Sequence, residues 1–226
     1  MRNAIDIGNG FIITTDNSGG IGEKIGDYVS VPDNVTSYFA ARVALLEQWA
    51  ANAEPVTVLI HNFSGSKSWE KYVQGVEDLF READLDIPTI TGSSETNMGL
   101  AQSAVAVTII GKKNPAPILD EVQWFTYGIP LVGDEVTEHA NKIASLRKLR
   151  EALDNGIIKQ LWPVGSRGIL AEAREMMQND ELSVESDVDL EKSAGPATVV
   201  IVGVPASQIK KAYTHFEEFL NELHMK

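Results

Sequence analysis

The chain has 226 residues, 43% hydrophobic and 23% charged, which suits one large or two small folded domains. Its formal charge of −13 argues against nucleic acid as a partner, because binding a phosphate backbone needs a basic surface. There is no cysteine, which excludes a disulfide framework and a thiolate metal site, and no apolar run long enough to cross a bilayer. The N-terminus lacks a basic segment followed by an apolar one, so no signal peptide is expected and a cytoplasmic address is.

In chain order, residues 5–15 read as a hairpin turned at Gly8-Asn9-Gly10, since Asn-Gly readily supplies positive φ. A mobile Gly-rich loop is expected next, Asn17-Ser18-Gly19-Gly20-Ile21-Gly22-Glu23-Lys24. Pro32-Asp33-Asn34 starts a helix through about Ala51, with Val35, Phe39, Val43, Leu46 and Ala50 as its apolar stripe. A strand follows over 56–60, then a helix capped by Ser68 with Tyr72, Val76, Leu79 and Phe80 inward. Strands over 87–91 and 104–110 complete the first half.

Residues 112–117, with two prolines among polar neighbours, read as a linker. The pattern predicts a first domain over 1–113 and a second over 118–226. In the second, Val136, Ala140, Ile143, Leu146, Leu149 and Leu153 predict one helix ending near Asn155-Gly156. Gly165-Ser166-Arg167-Gly168 precedes another, residues 198–204 form a strand, and Ile209, Tyr213, Phe216, Leu220 and Leu223 mark a last helix. The acidic stretch 180–191 reads as a solvated surface.

Four acids stand out by setting: Asp6 in Ala-Ile-Asp-Ile, Asp16 at the end of Ile-Ile-Thr-Thr-Asp, Glu47 on the first helix, and Glu95 in Thr-Gly-Ser-Ser-Glu-Thr-Asn. Acids at strand ends beside flexible backbone suit divalent cations, which take oxygen ligands, and amides near glycines approach phosphate oxygens. Each acid also has a plain structural role open to it. Asp16 starts a turn with Asn17, Glu47 is a helix-surface residue, and Glu95 favours a helix N-terminus. His61 and Asn62 follow a strand and are candidates for substrate contact.

The order of these motifs resembles a known family. The stretch from Thr15-Asp16 to Lys24 resembles a segment of aminoimidazole ribonucleotide synthetase and the Thr-Thr-Asp of thiamine-monophosphate kinase. Glu-Gln-Trp-Ala-Ala-Asn-Ala-Glu-Pro, from Glu47 to Pro55, is similar to the family's Asn-Asp helix running into Gly-Ala-Glu-Pro. Ser93-Ser94-Glu95-Thr96 resembles its Gly-Gly-Glu-Thr or Gly-Gly-Asp-Thr turn. The Asn-Ser-Gly-Gly-Ile-Gly-Glu-Lys loop and His61-Asn62-Phe63-Ser64-Gly65 look most like the α-ribazole kinase branch.

The resemblance implies a two-domain α/β (α+β) fold of the aminoimidazole ribonucleotide synthetase type. A ferredoxin-like mixed sheet with helices dimerises, and a shortened α/β domain follows it. It implies an ATP- and Mg²⁺-dependent kinase, a homodimer acting on the 5′-hydroxyl of a nucleoside-like substrate such as α-ribazole. By resemblance Asp6, Asp16, Glu47 and Glu95 bind metal. Gly19, Gly20, Gly22, Lys24, Thr96 and Asn97 bind ATP, Asp16 and Lys24 serve catalysis, and His61 and Asn62 meet the substrate. Two departures appear: Glu47 and Leu46 replace the family's Asp and preceding Asn, and Asp6 stands where many members have paired aspartates. A thiamine-monophosphate kinase or synthetase-type reaction and a non-catalytic nucleotide sensor are the alternatives.

Overall fold

A computed structural model of the chain describes residues 3–115 and 121–226. It divides into two compact units, Asn3–Pro115 and, among the described residues that follow, 121–226. Lys112 and Lys113, expected to open the linker, are instead paired in the last strand of the first unit, opposite Phe11 and Ala53; its end, Ala116 and Pro117, and the domain boundary at residue 118 lie outside the described residues.

The first unit runs β1 (Ile5–Asp6), β2 (Phe11–Gly19), β3 (Ile21–Gly22), β4 (Val29–Ser30), α1 (Asp33–Ala50), β5 (Ala53–Asn62), α2 (Trp69–Glu82), β6 (Thr89–Ser94) and β7 (Ala104–Lys113). Five strands form a mixed sheet in the order β1-β2-β7-β5-β6. The hairpin forms as expected, with Ile5 opposite Ile13 and positive φ at Gly8, Asn9 and Gly10. Asp16 does not end its strand: β2 continues to Gly19, which pairs with Ala104.

Alternate residues of β2, β5 and β7 (Ile12, Val58, Ile60, Val105, Val107, Ile109) are fully buried under α1 and α2. Each such side chain contributes roughly 1.5–3 kcal/mol of hydrophobic stabilisation. Helix α1 is buried almost all round from Ala40 to Trp49, so the expected stripe finds the helix but not its faces. Small Ala40, Ala41 and Ala44 let it lie close to the sheet, and Gln48 donates to the Ile12 and Ile109 carbonyls at 3.2 and 2.8 Å. Where α1 crosses α2, only glycine fits at 75, because a Cβ there would stand 2.0 Å from the Asn34 carbonyl oxygen. The opposite sheet face, with Ile13, Thr15, Leu59, His61, Thr108 and Ile110, is half-exposed to exposed.

The second unit runs β8 (Val122–Tyr127), α3 (Glu135–Glu138), α4 (Leu146–Asp154), β9 (Gln160–Pro163), α5 (Gly168–Met177), β10 (Val184–Glu185), β11 (Val200–Pro205), α6 (Ile209–Phe216), β12 (Leu220–Glu222) and β13 (His224–Met225). Its main sheet, β12-β8-β11-β9, is antiparallel throughout. Ile169 and Ala173 of α5 pack with Val199, Ile201 and Trp124 against one face. On the other, Tyr213 and Phe216 of α6 meet Phe125 and Tyr127.

Two expected helices differ here. The helix read over Val136 to Leu153 is interrupted, because Ile143 is extended and the Ala144 amide donates to the Thr198 carbonyl at 2.9 Å. Ser145 then caps α4 afresh, accepting from the Lys148 amide. The last helix stops at Phe216, since Glu217 and Phe219 take positive φ and turn the chain back. Leu220 is buried by pairing with Tyr127 in the sheet rather than on a helix. Among the described residues no helix is long and apolar enough to cross a membrane.

Candidate functional site

Strands β2 and β5 are both antiparallel to β7, and β6 is parallel to β5, so β2, β5 and β6 point the same way. Their C-terminal residues Gly19, Asn62 and Ser94 therefore gather at one pole of the sheet, with the start of β7. In open sheets this is where ligands bind.

Glu95 stands at that pole. Its amide donates to the Asn62 carbonyl at 2.7 Å, and its Oε1 accepts from the amides of Asn97 and Met98 at 2.6 and 3.1 Å. Those amides, Asn97 first, hold the carboxyl below its usual range, so it is a fixed anion near neutral pH. Glu95 lies in a turn without a helix, so its expected neighbours Thr96 and Asn97 act here through backbone.

Asn62 is 1% exposed. Its Nδ2 donates to the Gly65 carbonyl and Ser94 Oγ at 2.8 and 2.9 Å, and its Oδ1 accepts from the Ser64 amide at 2.8 Å. It organises two turns, a role the sequence did not reveal because its partner Ser94 is 32 residues away. His61, half-buried, points to the opposite side of β5 from Asn62, opposite Ala106 and Ser93.

The Gly-rich stretch is tied down rather than open. Gly20 N–H donates to the Ser103 carbonyl at 2.8 Å, Glu23 N–H to Asp33 Oδ1 at 3.3 Å, and Lys24 N–H to Asp27 Oδ2 at 2.9 Å. The Lys24 ammonium donates to the carbonyls of Leu100 and Gln102 at 2.9 and 3.3 Å. Gly22 permits close packing: a Cβ would stand 2.5 Å from Ser103 Oγ. Asp27 also accepts the Ser103 amide at 2.7 Å; burial works to raise its pKa, but these amides outweigh it and leave it lowered. Glu23 is lowered chiefly by its ion pair with Lys71. None of Glu23, Asp27 and Asp33 was singled out in the sequence as a site residue, although they fix the loop that holds the glycines.

The remaining acids lie elsewhere. Asp6 faces Ile12 at the other end of β2, where the Gly8 amide and, secondarily, Lys113 lower its pKa. Glu47 is 1% exposed on α1, next to Gln48, whose amide bonds Ile12. Asp6 is thus roughly 20 Å along the sheet from the Glu95 pole, at about 3.3 Å per residue, and Glu47 lies in the last turns of α1, at the Ile12 end. Asp16, half-buried and opposite Val107, is three strand spacings from β6, roughly 14 Å. The four acids do not converge within one chain, and among the described residues no group of three or more acidic, His or Cys side chains could hold a metal ion. Mg²⁺ generally uses one or two carboxylates plus phosphates and waters, so the fixed Glu95 carboxylate fits a metal that arrives with a nucleotide.

In the second unit the loop before α5 is covered. The Leu170 amide donates to the Leu190 carbonyl at 2.9 Å, and Gly168 abuts the backbone of Leu190 and Glu191. Arg167 pairs with Glu175 and lies 3.7 Å from buried Glu172, which accepts from the Trp162 indole at 3.0 Å.

No protein-family model matches the sequence, and no curated protein does. Solved structures do match. Thiamine monophosphate kinase from Aquifex aeolicus superposes with TM-score 0.64 at 10% identity over 96% of this chain and 84% of that one. The hydrogenase maturation protein HypE in complex with ATP gives 0.63 at 13% over 97% and 78%. Thermotoga maritima PurL complexed with ATP gives 0.54 at 12% over 98% of this chain, which spans 42% of that protein. At these identities the likeness is one of fold, and the fold is the aminoimidazole ribonucleotide synthetase-like one.

Proposed function

We propose that the chain is an ATP- and Mg²⁺-dependent small-molecule kinase with an alcohol acceptor, the 5′-hydroxyl of α-ribazole in cobalamin lower-ligand assembly being the favoured one. The observation that carries this reading is the Glu95 carboxylate, ionised and held by two backbone amides beyond the C-terminal ends of β5 and β6. Kinase chemistry is mostly positioning and charge neutralisation, and a fixed anion there would hold a metal bound to phosphates. Mg²⁺ would neutralise charge on the transferring group. Asp16, roughly 14 Å away across the sheet, would be the second acid by meeting a different part of the bound nucleotide and not the same metal, and His61 would meet the acceptor. Two solved structures of this fold hold ATP and another is a kinase, which supports the nucleotide reading. A homodimer joined through the helix-free face of the first unit's sheet would be the working form. Thiamine-monophosphate kinase or synthetase-type chemistry would use the same pole.

A second reading, a nucleotide-binding sensor without turnover, is favoured by one observation: the Gly20 and Lys24 groups expected to hold phosphate are bonded within the chain. The deciding experiment is ADP release from Mg-ATP with and without α-ribazole, with the product weighed by mass spectrometry. Phosphorylated α-ribazole supports the kinase. Mg-ATP binding without acceptor-dependent ADP release favours the sensor. Failure to bind Mg-ATP removes both.

A further inference from the structure

The Glu95 pole also carries large exposed apolar side chains: Ile25 and Tyr28 after β3, and Met98 and Leu100 on the loop that Glu95 begins. Tyr28 is 91% exposed, and Ile25 is fully so. They do not sit on loose chain. Gln102 Nε2 donates to the Gly26 carbonyl at 2.8 Å, and Lys24 clamps the carbonyls of Leu100 and Gln102. The Tyr28 amide donates to the Gly20 carbonyl at 2.7 Å, and its ring edge lies 3.2 Å from where a Gly20 Cβ would stand. Gly26 is pressed against the Ala101 backbone, where a Cβ would come within 2.7 Å of the carbonyl oxygen. The two loops form one fixed surface whose apolar groups meet water.

We propose that Tyr28, on the same pair of mutually bonded loops as the exposed Ile25, Met98 and Leu100, is the platform on which the base of a purine nucleotide stacks. This rests on the ATP reading above and deepens it. A nucleotide is apolar and planar at one end and anionic at the other. The 95–103 loop offers both matches, with Glu95 at its start for a phosphate-bound metal and Met98 and Leu100 beyond it. Exposed aromatic rings bind bases through their π-faces, and purines present the larger face.

The experiment measures Mg-ATP and Mg-tripolyphosphate binding to the full chain by calorimetry, for wild type, Tyr28→Ala, Ile25→Ala and Tyr28→Phe. Both sites are exposed, so the variants should fold, which circular dichroism checks. The expected result is that wild type prefers ATP to tripolyphosphate. Tyr28→Ala should weaken ATP about tenfold or more, the size of a lost base–aromatic stack, and leave tripolyphosphate unchanged. Ile25→Ala should do the same more weakly, and Tyr28→Phe should retain ATP affinity. If wild type binds tripolyphosphate as tightly as ATP, or Tyr28→Ala changes neither ligand or both equally, the platform is overturned while phosphate binding stands. If wild type binds neither, the ATP reading falls and the platform with it. If the Ala variants alter self-association in sedimentation but not ATP affinity, the patch is a protein contact and the proposal is overturned.

Discussion

The backbone carbonyl of Asn62 accepts the amide hydrogen of Glu95 at 2.7 Å, so the half-buried acid of the candidate site hangs from a residue that is itself 1% exposed. Asn62 also bonds Ser94, the residue before Glu95, through its side chain. Asn62→Ala keeps the carbonyl but removes the side-chain bonds to Gly65, Ser64 and Ser94, whose groups are part-buried and partly open to water. A lost hydrogen bond costs about 0.5–1.5 kcal/mol net, so the variant should lose about 1–3 kcal/mol of stability in urea and weaken Mg-ATP binding as the turn loosens. Wild-type stability would show that water replaces these bonds and that Asn62 does not hold the turn.

Glu95 predicts a specific pH signature. Its folded pKa is lowered, so its contribution to stability is present above the unfolded carboxylate value and is lost as pH falls through the folded one. Glu95→Gln should therefore be less stable than wild type at pH 6, and the gap should close at acid pH once Glu95 is protonated. Urea melts at several pH values measure it. A gap that persists below the carboxylate range would place the effect in packing rather than in charge.

How far the sequence reveals this structure depends on the range of the interaction concerned. The hairpin at Gly8-Asn9-Gly10 and the two long helices rest on local patterns of turn chemistry and periodicity and appear as read, except that Ser68 precedes α2 without capping it through its side chain. The faces of α1 do not follow its stripe, because its second half is packed on nearly all sides. Leu220 and Leu223 continue a helical spacing, yet the chain reverses at Glu217 and Phe219, non-glycine residues whose positive φ no local signal announces. At the site, Glu95 is legible from its small-residue turn. The bonds of Asp27 to Ser103 and of Lys24 to Leu100 join residues 76 apart and turn an expected phosphate loop into an internally bonded one.

Gly75→Ala tests the helix crossing. Alanine is the better helix former by about 1 kcal/mol, which alone would stabilise α2. The new Cβ would stand 2.0 Å from the Asn34 carbonyl oxygen and 2.3 Å from Ser37 Oγ. Backbone of α1 cannot retract without disturbing its contacts with β2 and β7, and overpacking typically costs about 1–3 kcal/mol or more. The clash should win, giving a net loss in denaturant titration. A gain would mean that α1 and α2 separate readily.

The helix-free face of the first unit's sheet predicts association. A sheet with one face in water usually carries polar residues there. Here Ile13 and Ile110 are register partners on that face, Ile5 lies opposite Ile13 at 62% exposure, and Leu59 faces Thr108. Large exposed apolar patches mark interaction sites, which makes this face the proposed dimer contact. Light scattering at micromolar concentration should find a dimer. Ile13→Glu should shift it to monomer with unchanged circular dichroism, because a half-exposed position tolerates a charge in the monomer and not in a closed interface. A monomeric wild type would remove the shared sheet from the proposed working form. A dimer that survives Ile13→Glu would move the interface to another surface.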